Sequence, residues 1–148
     1  MDGSGAMVVP VLLTIERVAL LKRVSLFGRT PDRVLAGIAR TLEEETFLAG
    51  TTMISEGAVE DWLFLLIDGT VRVSQWGRVM ELGPGGVVGE LAVLAGEQRV
   101  VTVTALTDVH AFRMRKVDFD EALRTRPEIA ASVIAELVRR LRTPDPLP

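Results

Sequence analysis

Apolar residues early in the chain recur at the spacing of a helix face. Over 13–24 the positions Ile15, Val18, Leu21 and Val24, with Leu20 beside them, predict a short amphipathic helix with Thr14 as its N-cap. Thr30-Pro31 repeats the helix-start signal, and Val34, Leu35, Ile38, Ala39 and Leu42 predict a second helix over 31–42. After Leu42 the texture changes to short segments rich in Val, Ile, Phe, Leu and Thr. They are punctuated by Ala49-Gly50, Glu56-Gly57, Asp68-Gly69, Gly77 and Gly83-Pro84-Gly85-Gly86. Turn signals at such regular intervals predict an antiparallel sandwich or barrel. Asp68-Gly69, between LFLLI and VRVSQW, predicts a tight hairpin with a primed turn, and Gly77 a similar turn before RVMEL. Two more strands are expected over 99–105 and 109–114, joined around Thr107-Asp108, which brings the count to eight, the number of a jelly roll. The end is helical again, with a short piece over 117–123 and a longer helix that Pro127 opens. Ile129, Val133, Ile134, Leu137, Val138 and Leu141 form its apolar face, and Thr143-Pro144-Asp145-Pro146 stops it. The expected architecture is mainly β with flanking helices: an eight-stranded antiparallel β jelly-roll barrel with N-terminal helices, one short inserted helix and C-terminal helices.

Length and composition narrow the picture further. The 148 residues suit one domain, expected over 14–142 between a flexible lead-in at 1–13 and a tail at 143–148. A formal net charge of −3 argues against a generic nucleic-acid surface, and Arg139, Arg140 and Arg142 read as a solvated helix end. The absence of cysteine excludes disulfides, thiolate zinc sites and a cysteine nucleophile. VVPVLL at 8–13 is far too short to span a bilayer, and no basic leader precedes it. A cytoplasmic protein without a transmembrane segment is expected. His110 is the single histidine, too few imidazoles for a metal-dependent jelly-roll enzyme, and Ser25, Ser55, Ser74 and Ser132 have no other base partner. The glycine-rich run at 83–89 lacks the Lys-Ser/Thr pair of a P-loop. The chain is therefore expected not to be an enzyme and to need no metal or cofactor.

The stretch with the most chemistry is GELAVLAGEQRVVTV, from Gly89 to Val103. It sets a glycine and a carboxylate at the mouth of a short helical run and an arginine nine residues after the carboxylate. The first N–H groups of a helix lack intrahelical partners and carry partial positive charge, so a phosphate is expected against Gly89, Leu91 and Ala92. Arg99 adds a full charge with a planar fork suited to phosphate oxygens. Glu90, acceptor-only when ionised, would hold sugar hydroxyls. A phosphorylated ribose satisfies both groups. The plainer alternatives are a strand arginine at 99 and a helix-start carboxylate at 90 stabilised by the dipole.

Val88-Gly89-Glu90-Leu91-Ala92 followed by Arg99-Val100-Val101, together with the glycines at 50, 57, 69, 83, 85 and 89 and the helical flanks, resembles the cyclic-nucleotide-binding domain family. This is the regulatory module of catabolite activator proteins, cyclic-nucleotide-dependent kinases and gated channels. The resemblance covers 14–142. It implies that the inserted helix belongs to a phosphate-binding cassette, that Glu90 accepts from the ribose 2′-hydroxyl, that Arg99 pairs the cyclic phosphate, and that the N–H groups of Leu91 and Ala92 complete the cradle. Valine stands at 88 where the family has phenylalanine, and Val100 and Val101 stand where it has small or hydroxylated residues. Without a hydroxyl for guanine at Val100, the implied effector is cAMP ahead of cGMP. The resemblance further implies signalling by movement of the C-terminal helix, with a second copy or a neighbouring domain as its partner. No DNA-binding domain is expected after Arg142. The alternative is a structural or protein-interaction jelly roll that has lost the ligand, part of a larger bacterial and membrane-associated protein.

Overall fold

The computed structural model describes residues 12–142. Two helices, α1 (Thr14–Leu21) and α2 (Asp32–Ala39), precede β1 (Glu43–Phe47), β2 (Thr52–Ile54), β3 (Trp62–Asp68), β4 (Val71–Gln75), β5 (Arg78–Leu82) and β6 (Val87–Val88). The short helix α3 (Glu90–Ala95) interrupts the strands, and β7 (Thr102–Ala105), β8 (Val109–Arg115), α4 (Lys116–Thr125) and α5 (Pro127–Arg142) complete the order. The strands make two four-stranded antiparallel sheets, β1-β8-β3-β6 and β2-β7-β4-β5. The jelly roll is thus a pair of facing sheets, and the barrel is not closed.

Side-chain alternation assigns each layer. In β3, Leu63 and Leu65 point to a helix-side core with Leu21, Leu35, Phe112, Met114, Phe119 and Ile129. Phe64 and Leu66 point the other way, into the inter-sheet core with Ile54, Val71, Val73, Val88 and Val103. A sheet covered on both faces needs apolar residues at every position, which is why LFLLI runs without a polar break. In β4 only alternate residues are buried, Val71 and Val73 inward and Arg72 outward, because its second face meets solvent.

A polar clamp fastens the helices to the sheet. Arg17 Nη1 donates to the carbonyls of Ala39 and Leu42, both at 2.8 Å, and Nη2 donates to Glu44 at 3.0 Å. The other Glu44 oxygen meets His110 Nε2 at 3.1 Å. Burial works against the charge on Glu44, but the Leu12 N–H, Arg17 and His110 outweigh it and hold the carboxyl below its ordinary range. His110 is thereby committed to this clamp. Leu12, inside the expected lead-in, also packs against the helix-side core; the rest of that lead-in up to residue 11 and the tail at 143–148 lie outside the described residues.

Several local expectations change. Leu13, not Thr14, is the N-cap of α1, with its own N–H donating to Glu16 at 2.8 Å, and Thr14 is the first helical residue. Asp68-Gly69 is not a hairpin, since β3 and β4 lie in different sheets and the segment crosses between them. The primed turn sits at Trp76-Gly77, where both residues have positive φ (53° and 78°) and Gln75 pairs with Arg78. Arg99, Val100 and Val101 precede β7 rather than opening it. In α5, Ile129 and Val133 are buried and Leu137 packs against the same core, whereas Ile134 and Val138 remain exposed. The single apolar face read from the sequence is therefore split in two.

Candidate functional site

Gly89 joins β6 to α3 and caps the helix at φ 91°, in the left-handed region that favours glycine. A Cβ there would stand 2.7 Å from Arg99 Nη1 and 3.2 Å from Ile54 Cδ1, so glycine is needed for space as well as for conformation. The Gly89 carbonyl accepts from Val93 N at 3.3 Å, opening the helix, and from Arg99 Nη1 at 3.2 Å. At the far end Gly96 closes α3 at φ 69°, and Glu97 N donates to the Ala92 carbonyl at 3.0 Å. The helix is anchored from below: Val93 is buried in the helix-side core, and its carbonyl accepts from Lys116 Nζ at 2.9 Å.

Arg99 is only 1% exposed. Its Nε donates to Glu60 at 3.1 Å, Nη1 to Gly89 and Nη2 to the Trp62 carbonyl, while its guanidinium carbon lies 6.0 Å from the Trp62 ring centroid. A buried guanidinium is costly unless it is paired, and this one has a counter-ion and two carbonyls. Its backbone is held as firmly, with Arg99 N donating to Ala58 at 2.7 Å and Gly57 N to the Arg99 carbonyl at 2.8 Å. Three of the five guanidinium N–H donors are committed among the described residues, and two are not.

The other expected site residues fall around this pair. Glu90 is the first residue of α3 and 6% exposed, Leu91 follows it in the helix, and Ala92 is buried. Val100 lines a cavity of about 570 Å³ with Glu56, Gly57, Trp76, Gln98 and Arg99. Val101 packs against the inter-sheet core instead. The structure therefore brings Gly89 and Arg99 into direct contact at the start of α3, sets Val100 on the neighbouring cavity wall, and gives Val101 to the core.

Sequence reasoning missed Glu60, the Trp62 carbonyl and the cavity residues Glu56, Gln98 and Trp76. An aromatic residue before the glycine of a hairpin turn was the one available signal, at Trp76-Gly77. Nothing in the local pattern marks Glu60, whose role depends on a residue 39 positions away. Among the described residues no group of three or more acidic or imidazole side chains could hold a metal, and no helix is long and apolar enough to cross a membrane.

Residues 44–126 match the family model of the cyclic nucleotide-binding domain, more than half of the chain. The chain belongs to the cyclic nucleotide-binding domain family. A cyclic nucleotide-gated potassium channel of Rhizobium etli is 33% identical over 114 residues, spanning 77% of this domain's chain and 32% of the channel. A CRP-like cAMP-activated global transcriptional regulator of Mycobacterium tuberculosis is 29% identical over 129 residues, spanning 83% of the chain and 58% of the regulator. Among solved structures, the N-terminal domain of a transcriptional regulator from Streptomyces coelicolor is 32% identical, with a TM-score of 0.65 over 83% of this chain and 90% of that one. The cyclic nucleotide-binding domain thus spans only part of the length of these curated relatives.

Proposed function

We propose that this cyclic nucleotide-binding domain is a regulatory module that binds cAMP in preference to cGMP and passes the event on through α5. The observation that carries the reading is Arg99, a fully charged and nearly inaccessible side chain laid against the first carbonyl of α3, nine residues after Glu90. The cyclic phosphate takes the two uncommitted donors of Arg99 and the N–H groups of Leu91 and Ala92, while Glu90 holds the ribose hydroxyl. Val100 offers guanine no hydroxyl, and the mycobacterial relative is by name cAMP-activated. The site binds and does not react, so the module is not an enzyme and its effector is its only small-molecule requirement. It works as a domain over 14–142, in the cytoplasm, as the regulatory part of a longer protein like the relatives it matches.

Titration calorimetry with cAMP and cGMP tests this. Binding heat and a rise in melting temperature are expected with both and larger with cAMP, since a ligand that binds only the native state must stabilise it. One observation favours a second reading: Glu60, Trp62 and Gly89 take a donor from each of the three nitrogens of Arg99 and neutralise its charge, as they would in a purely structural clasp. No heat and no thermal shift at millimolar ligand would decide for that clasp.

The route outward runs through contacts. Val93 and its carbonyl join α3 to Lys116 at the start of α4, and α4 packs on α5. The exposed Ile134 and Val138 give α5 a surface for a second copy or a neighbouring domain. A ligand shifts α5 only if it binds one position more tightly than another. The distance between spin labels at Ala135 and Glu81 is therefore expected to change on saturation with cAMP. An unchanged distribution with ligand bound would make α5 a fixed brace.

A further inference from the structure

We propose that Trp76 is the platform on which the base of the bound nucleotide stacks, with Glu56 and Gln98 reading the base edge; this rests on the reading above that the site takes a cyclic nucleotide. Trp76 is 81% exposed, yet it sits at φ 53°, the only residue other than glycine with positive φ among those described. The first position of a type I′ turn suits asparagine, aspartate or glycine, and a bulky aromatic there is strained. Strain of this kind gathers at sites of function. Folding gives no return for it here, since the indole is left in water.

The cavity lining shows what Trp76 adjoins. The β4–β7 ladder ends with Ser74 opposite Thr102, and beyond it Trp76 and Val100 line the same cavity. Glu56 and Gly57 line it as well, in a turn where Glu56 N donates to Thr102 Oγ1 at 3.1 Å and Gly57 and Ala58 bind the Arg99 backbone. Trp76, Glu56, Gln98, Val100 and Arg99 therefore line one open cavity, on a scaffold held by backbone hydrogen bonds. Its volume of about 570 Å³ is in the range of small-molecule sites.

The lining also selects the base. An amide beside a carboxylate suits an edge that offers an amine next to a ring-nitrogen acceptor, as adenine does through N6 and N7. On that N7 edge guanine presents two acceptors, O6 and N7, which the Glu56 carboxylate repels, so the selection requires the base to turn this edge, and not its N1–H and N2 donors, to Glu56.

The test compares wild type, Trp76→Asn, Trp76→Phe and Glu56→Gln by calorimetry with cAMP and cGMP, and follows the thermal melt of each without ligand. Trp76→Asn is expected to weaken cAMP binding roughly tenfold to a hundredfold, the usual loss when a stacking ring is removed. Its unliganded melting temperature should equal or exceed that of wild type, because asparagine accepts positive φ. Trp76→Phe should retain most of the affinity, and Glu56→Gln should narrow the ratio between cAMP and cGMP. In a Trp62→Phe background, where Trp76 is the only indole, cAMP should change the Trp76 emission. Unaltered cAMP affinity in Trp76→Asn overturns the platform and leaves the cyclic nucleotide reading standing. Absence of cAMP binding to wild type overturns both.

Discussion

Arg99→Ala is expected to abolish measurable cAMP binding and, in the same protein, to lower the stability of the unliganded fold. The binding loss follows from removing one partner of a largely desolvated charge pair, about 2–5 kcal/mol. Glu90→Gln removes only the charge from a hydrogen bond to a sugar hydroxyl and should cost about 1–3 kcal/mol. The ranking, with Arg99→Ala the worse of the two, is the sharper statement. The stability loss has a separate origin. Arg99 fills a fully buried position and satisfies Glu60 and the carbonyls of Trp62 and Gly89. Glu60 is partly exposed and can turn to water, but the two carbonyls are backbone and stay where they are. A stranded buried acceptor costs on the order of 1–3 kcal/mol. Urea unfolding without ligand measures this term, and calorimetry on the folded fraction measures the other. Arg99→Lys should keep a charge yet reach fewer acceptors, falling between wild type and alanine in both assays. Equal cAMP affinity for wild type and Arg99→Ala would place the phosphate elsewhere.

The second large effect lies at the far end of the sheets. Gly69→Ala is expected to be the most damaging of the glycine substitutions at positive φ. Gly69 has φ 93°, and a Cβ there would overlap the Asp108 carbonyl oxygen and stand 2.9 Å from Val109 Cα. These are backbone atoms at the end of the link between β7 and β8 and at the first residue of β8, so no side chain can swing aside. The two crossings are stitched together at this point, with Leu106 N donating to Thr70 at 2.9 Å and Thr70 N to Thr107 Oγ1 at 3.0 Å. The left-handed conformation costs an alanine about 1–2 kcal/mol, and forced overlap adds about 1–3 kcal/mol. Gly50→Ala is the control, because Gly50 has φ 90° and nothing within 4 Å of the added carbon. The fall in urea midpoint should be at least twice as large for Gly69→Ala. Equal falls would show that the crossings can part without loss.

The two turns separate what is local from what is not. Asp68-Gly69 and Trp76-Gly77 both join short apolar segments, and by composition the first is the better hairpin candidate. The structure makes the hairpin at the second, because β4 pairs with β5 and β7, whereas β3 pairs with β6 and β8. Strand pairing depends on which apolar faces are buried together, and LFLLI, apolar on both faces, belongs in the sheet covered by helices. Glu60 shows the same limit at the site. It lies in the irregular segment between the turn at 56–57 and β3, with no periodic signal, and becomes the counter-ion of Arg99 only because Gly57 and Ala58 bind the Arg99 backbone.

By itself the sequence determined whatever depends on neighbours along the chain. The helical stripes, the short strands, the Gly89-Glu90 entrance to α3 and the nine-residue step to Arg99 are local patterns, and so they are legible in one dimension. The tertiary structure decided the rest. It opened the barrel into two sheets, turned the Arg99 charge inward onto Glu60 and Trp62, gave Val101 to the core and split the face of α5. It also put Trp76 and Val100 on the wall of one cavity. Each of these outcomes joins residues far apart in the chain, where burial and the pairing of charge are settled by what packs on the other side.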